Sequence, residues 1–449
     1  MPSQCLVNHQ ERSISAIAVQ KSRRTDHSDS PGLKSDGLLD LGLPTQSLQA
    51  FRQAQLLASD AAQRARVWLG TAAALRLLDR YDEALAALRE AEQAAAVPGQ
   101  PERLAEIESL RGNLYFPKGD MEECLAAHQR ALSHARAAGS VLGEARALGG
   151  LGDAYYQQGR MLTAHAHFVR CVELARAHGF IRIECANLPM VGAVELFRNE
   201  LAAAQASCEE GLRLARRISD ARSEMLACDV MTSTAQLAGD WPRAEAHARL
   251  ALALTRRLEA RRFEAEVLAR LGLAIGALGQ VQEAESLLDE ALQLSHASGV
   301  RYSGPTVLAF LARTTRDPDK QLDALRQGEA MLAQGCVSHC HVDLLEAAID
   351  VSLAERRWQE AERYLAALQD YMQHEPFPWG DFLIRRGRAL ICAGREEGGA
   401  STPPLCARLR LLRDEAHAAG LNASLGAIDA ALERLTATSR IGQDASGPP

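Results

Sequence analysis

Cys336, His339, Cys340 and His341 fall within six residues of one another, and thiolate and imidazole are the ligands zinc takes. Only two or three of the four could reach one ion if the segment is helical, and no second cysteine or histidine pair at finger spacing follows. The segment therefore reads as a loop between two structural units with its thiols partly buried, and no metal is assigned. The other histidines offer no better chemistry: His128, His165, His167 and His247 are scattered among arginines and glutamates without a repeated partner. Carboxylates are plentiful, but Glu83, Glu123, Glu283 and Glu360 recur at one place near a helix start, where a negative charge stabilises the helix by about 0.3–1 kcal/mol. The chain has no phosphate loop G-x-x-x-x-G-K-[ST], no G-x-S-x-G elbow, no H-E-x-x-H and no glycine-rich dinucleotide turn. No catalytic residue and no cofactor is assigned, and the chain is read as a non-enzyme.

What positions any of these residues is a forty-residue repeat. Ala84, Cys124, Ala164, Ala204, Ala244, Ala284 and Ala324 fall at identical intervals, with Ser47 one shorter unit before them and Ala361 one shorter unit after. Twelve positions upstream of each runs a second small series: Ala72, Gly112, Gly152, Gly192, Thr232, Gly272 and Ala312. Two small positions per unit imply two close helix contacts per unit, the pattern of stacked helical hairpins in which each buries its apolar face on its neighbours. Turns such as Lys118-Gly119-Asp120, Gln158-Gly159-Arg160, Ala238-Gly239-Asp240 and Leu278-Gly279-Gln280 separate the two helices. Asp79 and Asn199 hold the same slot, and Gly139, Gly179 and Gly299 end the second helix.

Leu151, Gly152, Tyr155, Ala164, Phe168 and Cys171 follow the spacing L-G-x2-Y-x8-A-x3-F-x2-A, and Leu271, Gly272, Ala284, Leu288 and Ala291 restate it, with Trp68 at the early tryptophan position. The chain resembles the tetratricopeptide repeat in these residues. Arg111 and Glu195 depart from it, occupying positions that are usually apolar. The expected fold is all-α, a right-handed α-solenoid of about eight or nine hairpins over residues 37–371. Residues 372–437 are expected to form a C-terminal helical cap, and residues 1–36 and 438–449 disordered ends.

Composition agrees. The chain is 47% hydrophobic but 4% aromatic, which suits alanine- and leucine-lined helix seams, and its net charge of −7 gives no general attraction for nucleic acid. Cys124, Cys171 and Cys208 occupy repeat slots filled elsewhere by core residues, so the thiols read as small hydrophobes in a reducing, cytoplasmic setting. No stretch reaches the ~18 apolar residues of a membrane span.

The segments Cys336–His339, Trp358–Tyr364, Glu375–Phe382 and Arg386–Leu390 look like the closing part of large bacterial proteins that join an adenylate/guanylate cyclase domain and an AAA-type ATPase to a tetratricopeptide tail. Neither catalytic module has a match in this sequence. The resemblance implies a regulatory or sensor tail of a cyclase or ATPase, acting in trans or as a shortened gene product. The reading placed first is a scaffold that binds a protein or peptide partner on the concave groove lined by first helices. Projecting the repeat's inward positions selects Asn113, Asp153, Tyr156, Gln157, Asp229, Ser233 and Gln236, which are polar where the seams are apolar. Lysine, present only at 21, 34, 118 and 320, reaches none of these positions, which disfavours a lysine clamp for a terminal carboxylate.

Overall fold

A computed structural model describes residues 33–40, 43–95, 101–298, 303–395 and 403–444. Among these the chain is all-helical and forms two compact units, residues 1–150 and 151–449. The first holds α1 (Leu33–Asp40), α2 (Pro44–Leu57), α3 (Ala61–Leu77), α4 (Tyr81–Ala95), α5 (Pro101–Lys118), α6 (Met121–Ala137) and most of α7 (Val141–Gln157). The second begins inside α7. It continues through α8 (Met161–Ala177), α9 (Ile181–Phe197), α10 (Leu201–Ile218), α11 (Ala221–Leu237), α12 (Trp241–Arg257), α13 (Arg261–Ala277) and α14 (Val281–Ser298). Then follow α15 (Gly304–Thr314), α16 (Pro318–Leu332), α17 (Ser338–Ala354), α18 (Trp358–Tyr371), α19 (Pro378–Arg395), α20 (Pro403–Ala419), a short 3-10 turn (Asn422–Ser424) and α21 (Leu425–Asp444).

Helix α10 shows why the sequence folds this way. Its buried residues Leu201, Ala204, Cys208, Gly211, Leu214 and Ala215 recur every three or four positions, forming one apolar stripe. Ser219 ends the helix in the left-handed region at φ 57°, and the Asp220 N–H closes the turn onto the Ala215 carbonyl at 2.9 Å. Asp220 then caps α11, its carboxylate accepting from the amides of Arg222 and Ser223 at 3.1 Å each.

The turn slot is left-handed in six successive hairpins, at Asp79, Gly119, Gly159, Asn199, Gly239 and Gly279, and again at Arg356 between α17 and α18. Between repeats, Ser219 and Glu259 adopt the same geometry that Gly139 and Gly179 supply. These two cost about 1 kcal/mol or more each and were not legible from residue type.

The recurring small position works through volume. A Cβ on Gly152 would lie 2.5 Å from the Phe168 ring, one on Gly112 2.3 Å from the His128 ring, and one on Gly192 2.5 Å from Cys208 Sγ. Each glycine thus admits the side chain sixteen residues later on the second helix. Where the first-helix residue is Thr232, its counterpart Ala248 is small, and both are fully buried. A second periodic device lies on the surface. Arg136, Arg176, Arg216 and Arg256 each pair with a glutamate eight residues on: Glu144 (3.1 Å), Glu184 (2.8 Å), Glu224 (2.9 Å) and Glu264 (2.7 Å). These arginines therefore bridge the turn between repeats.

The two departures from the motif are both satisfied. Arg111 is paired with Glu92 at 2.5 Å and with buried Glu108, while Glu195 accepts a hydrogen bond from Ser207 at 2.9 Å.

Two boundaries shift. The expected N-terminal disordered segment lies outside the described residues through residue 32, and residues 33–36 open α1. Of the expected tail, residues 438–444 continue α21 and the remainder lies outside the described residues. In the C-terminal region α19 packs on α17 and α18 and also reaches back to α9, while the 3-10 turn contacts α11. No helix among the described residues is long and apolar enough to cross a membrane.

Candidate functional site

The first helices of the second unit carry a ladder of charged side chains on one face. Glu266 and Thr306 stand one repeat apart, and Asp343 follows one shorter unit later. Arg270 lies one turn beyond Glu266 and pairs with it at 2.8 Å and with Asp229 of α11 at 3.2 Å. The Thr306 hydroxyl donates to Asp343 at 2.8 Å. Arg313 pairs with Glu346 at 3.4 Å, and Arg386 of α19 with Asp350 at 2.9 Å. Adjacent helices are thus joined across this face by opposite charges. Burial makes such pairing obligatory, because an isolated charge in low dielectric costs several kcal/mol.

Across the same interior, the start of the second unit meets its later helices. Tyr156, near the end of α7, makes a 3.1 Å hydrogen bond with His339 Nδ1 at the start of α17. His339 Nε2 lies 3.6 Å from Glu266. Tyr156 is edge-on to Phe197, which is edge-on to Phe377. One connected network therefore runs Tyr156–His339–Glu266–Arg270–Asp229.

Desolvation acts on both the acids and the cations of this interior. Burial pushes the Asp153 carboxyl up to about 7, against the opposing pull of Arg222 and Arg262. Burial likewise raises Asp229 despite Arg270, and Glu346 despite Arg313. Burial opposes the charge on Arg270, but Asp229, Glu266 and Asp343 outweigh it and hold the guanidinium above its ordinary value. Carboxyls desolvated in this way hold a proton more readily than exposed ones.

The structure gives most of the sequence-selected residues partners inside the chain. Tyr156 is held by His339, Asp229 by Arg270, and Gln236 Nε2 donates to the Arg270 carbonyl at 2.8 Å. The Ser233 hydroxyl donates to its own helix at the Asp229 carbonyl, 3.4 Å away. Gln157 and Gln236 are buried, Asp153, Tyr156, Asp229 and Ser233 half-buried. Asn113, half-buried on α5, belongs to the first unit. An open, solvated row of these side chains is not what the second unit presents.

Sequence reasoning missed Glu266, Arg270, Arg313, Asp343 and Glu346, although Glu266 and Asp343 share one repeat register and Glu346 shares that of Asp229. The Cys336–His341 segment also differs from the expected loop: Ser338 onward is helix, because Val342, Leu344, Leu345 and Ile349 give α17 a buried stripe. His341 stacks on Tyr371 with centroids 4.6 Å apart, and the buried Cys340 thiol lies 3.5 Å from the Thr306 hydroxyl. Among the described residues no group of three cysteine, histidine or acidic side chains is placed to hold a metal ion.

The tetratricopeptide repeat family model matches residues 103–177. No curated relative matches the sequence. Among solved structures, a Rap protein complexed with Competence and Sporulation Factor shares the fold with a TM-score of 0.60 at 13% identity, over 76% of this chain and 96% of that one. NprR in complex with its cognate peptide NprX does so with a TM-score of 0.54 at 16% identity, over 77% and 100%. The apo form of the quorum sensor NprR from B. thuringiensis has a TM-score of 0.50 at 13% identity, over 75% and 97%. The chain is accordingly an all-α array of tetratricopeptide-like helical hairpins with a forty-residue period.

Proposed function

We propose that the chain is a non-catalytic interaction scaffold of the cytoplasm that takes a partner peptide, or a segment of a partner protein, on the first-helix face of its second unit. The observation that carries this reading is the row of polar and charged side chains that the first helices turn to one face, from Asp229 and Arg270 through Glu266 to His339 and Tyr156. The carboxylates Asp153 and Asp229 would take a polar or cationic group of the partner, with Tyr156, Gln157, Ser233 and Gln236 as hydrogen-bonding groups beside them. Asn113 belongs to the first unit and is not counted in this face. The Rap and NprR structures were solved with Competence and Sporulation Factor and with the peptide NprX, and the shared architecture makes a peptide the first ligand to try.

The test is affinity capture from a bacterial lysate with the wild type and with Asp153→Asn, which removes the charge without changing shape. An arginine at this position would face Arg222 and Arg262 and confuse loss of binding with loss of fold. The expected result is a partner retained by the wild type and lost by the variant at unchanged helical circular dichroism. Retention of every partner by Asp153→Asn would place binding elsewhere. Recovery of a cyclase or an AAA ATPase would identify the chain as a regulatory tail acting in trans.

A further inference from the structure

Helix α8 lacks a cap of its own. In the same repeat slot Asp120 caps α6 through the Glu123 amide at 3.4 Å, and Asp240 caps α12 through the Arg243 amide at 3.2 Å. In α8 the slot holds Arg160, which makes no such bond. The cap comes instead from Glu375, more than two hundred residues away in the linker between α18 and α19. Its Oε1 accepts from the amides of Leu162 at 2.8 Å and Thr163 at 3.0 Å, its Oε2 from the Thr163 hydroxyl, and Arg160 lies 3.6 Å from it. A carboxylate at a helix N-terminus satisfies unpaired amides and meets the positive end of the dipole.

Glu375 does not act alone. Tyr371, at the end of α18, shares a 2.7 Å hydrogen bond with Ser338 and lies against Gly159, where a Cβ would fall 2.5 Å from its hydroxyl. Beside it, Tyr156 meets His339. Residues 156–163 are thus tied to residues 338–377 by hydrogen bonds, one ion pair and ring contacts, beside Met161 and Phe377 of the buried apolar cluster. Successive helices of the same unit are joined by continuous buried apolar residues and need no such carboxylate. Pro376 and Pro378 restrict the linker backbone around Phe377, which is fully buried, so Glu375 is carried on an anchored segment.

We propose that this seam is a clasp: it parts reversibly while the hairpins stay folded, giving access to the enclosed charged face, and Glu375 is the residue that holds it shut. The clasp regulates the site of the proposed function and in that sense rests on that reading. It closes by capping α8 from the far end of the unit, so loss of one carboxylate releases both the α8 amides and the α17 start.

Hydrogen–deuterium exchange and N-ethylmaleimide labelling on the full chain test it, comparing wild type, Glu375→Gln and Glu375→Ala. Cys340 lies next to His339 at the seam, whereas Cys208 is buried between α9 and α10 and serves as the control. The expected result is exchange at Leu162 and Thr163 faster by about tenfold or more in Glu375→Ala, the loss of one charge-assisted bond. Glu375→Gln should be intermediate, and Cys340 labelling should rise while Cys208 labelling stays constant. Unchanged exchange at Leu162 and Thr163, or parallel rises at Cys340 and Cys208, would overturn the clasp. Neither readout uses a partner, so failure of the clasp is separable from failure of the capture experiment.

Discussion

His128 of α6 occupies the repeat slot held by Leu88, Phe168 and Leu288, and acid should expose that substitution. The ring is 1% exposed, is wedged between Gly112 and Gly150, and has no hydrogen-bond partner on either nitrogen among the described residues. Burial therefore lowers its pKa from 6.5 to about 4. Below pH 6.5 the unfolded chain takes up a proton that the folded chain refuses, so stability falls as pH drops through this window and levels off below about 4. At about 1.4 kcal/mol per pH unit, the full loss is roughly 3–4 kcal/mol, of which about 2 kcal/mol is already lost at pH 5. That is a large share of the ~5–15 kcal/mol that holds a domain folded. Urea unfolding followed by circular dichroism at pH 7.5 and pH 5 measures it, with His128→Leu as the non-titrating reference that copies Leu88 and Leu288. The variant should lose about 2 kcal/mol less than the wild type between the two pH values. Equal acid sensitivity of both proteins would refute the buried neutral imidazole.

Gly152→Ala should cost about 1–3 kcal/mol by overpacking against Phe168, and adding Phe168→Leu, which recreates the Ala72 and Leu88 pairing, should cost less than the sum of the two single changes in chemical denaturation. Asp153 behaves oppositely to His128: with its folded pKa raised to about 7, stability is greatest at low pH and falls as pH rises from about 4 to 7. Asp153→Asn should therefore raise the melting temperature more at pH 8 than at pH 5, and an equal shift at both would contradict the buried carboxyl. Arg176→Ala removes exposed ion pairs to Glu184 and Glu210 and should change stability by under about 1 kcal/mol.

The repeat was legible because it is written in small residues and left-handed turns, both of which depend on local contacts. Register alone also places His128 in a core slot. The interior was only partly legible. Asp229 and Gln236 could be selected as inward and polar, but a periodic pattern speaks only of neighbouring repeats. Contacts such as Tyr156 with His339, or Glu375 with Leu162, depend on how far the second unit curves, which is summed over many small helix–helix angles. The Cys336–His341 segment was misjudged for the opposite reason. Its chemistry drew attention, while the apolar stripe that makes α17 a helix begins just after it.

The central claim is that a partner lodges on the first-helix face of the second unit. Hydrogen–deuterium exchange of the captured complex against the free chain tests it most directly. New protection is expected in residues 221–237, 261–277 and 304–314, with the second helices 201–218, 241–257 and 281–298 unchanged. Protection confined to those second helices, or to the first unit, would contradict it.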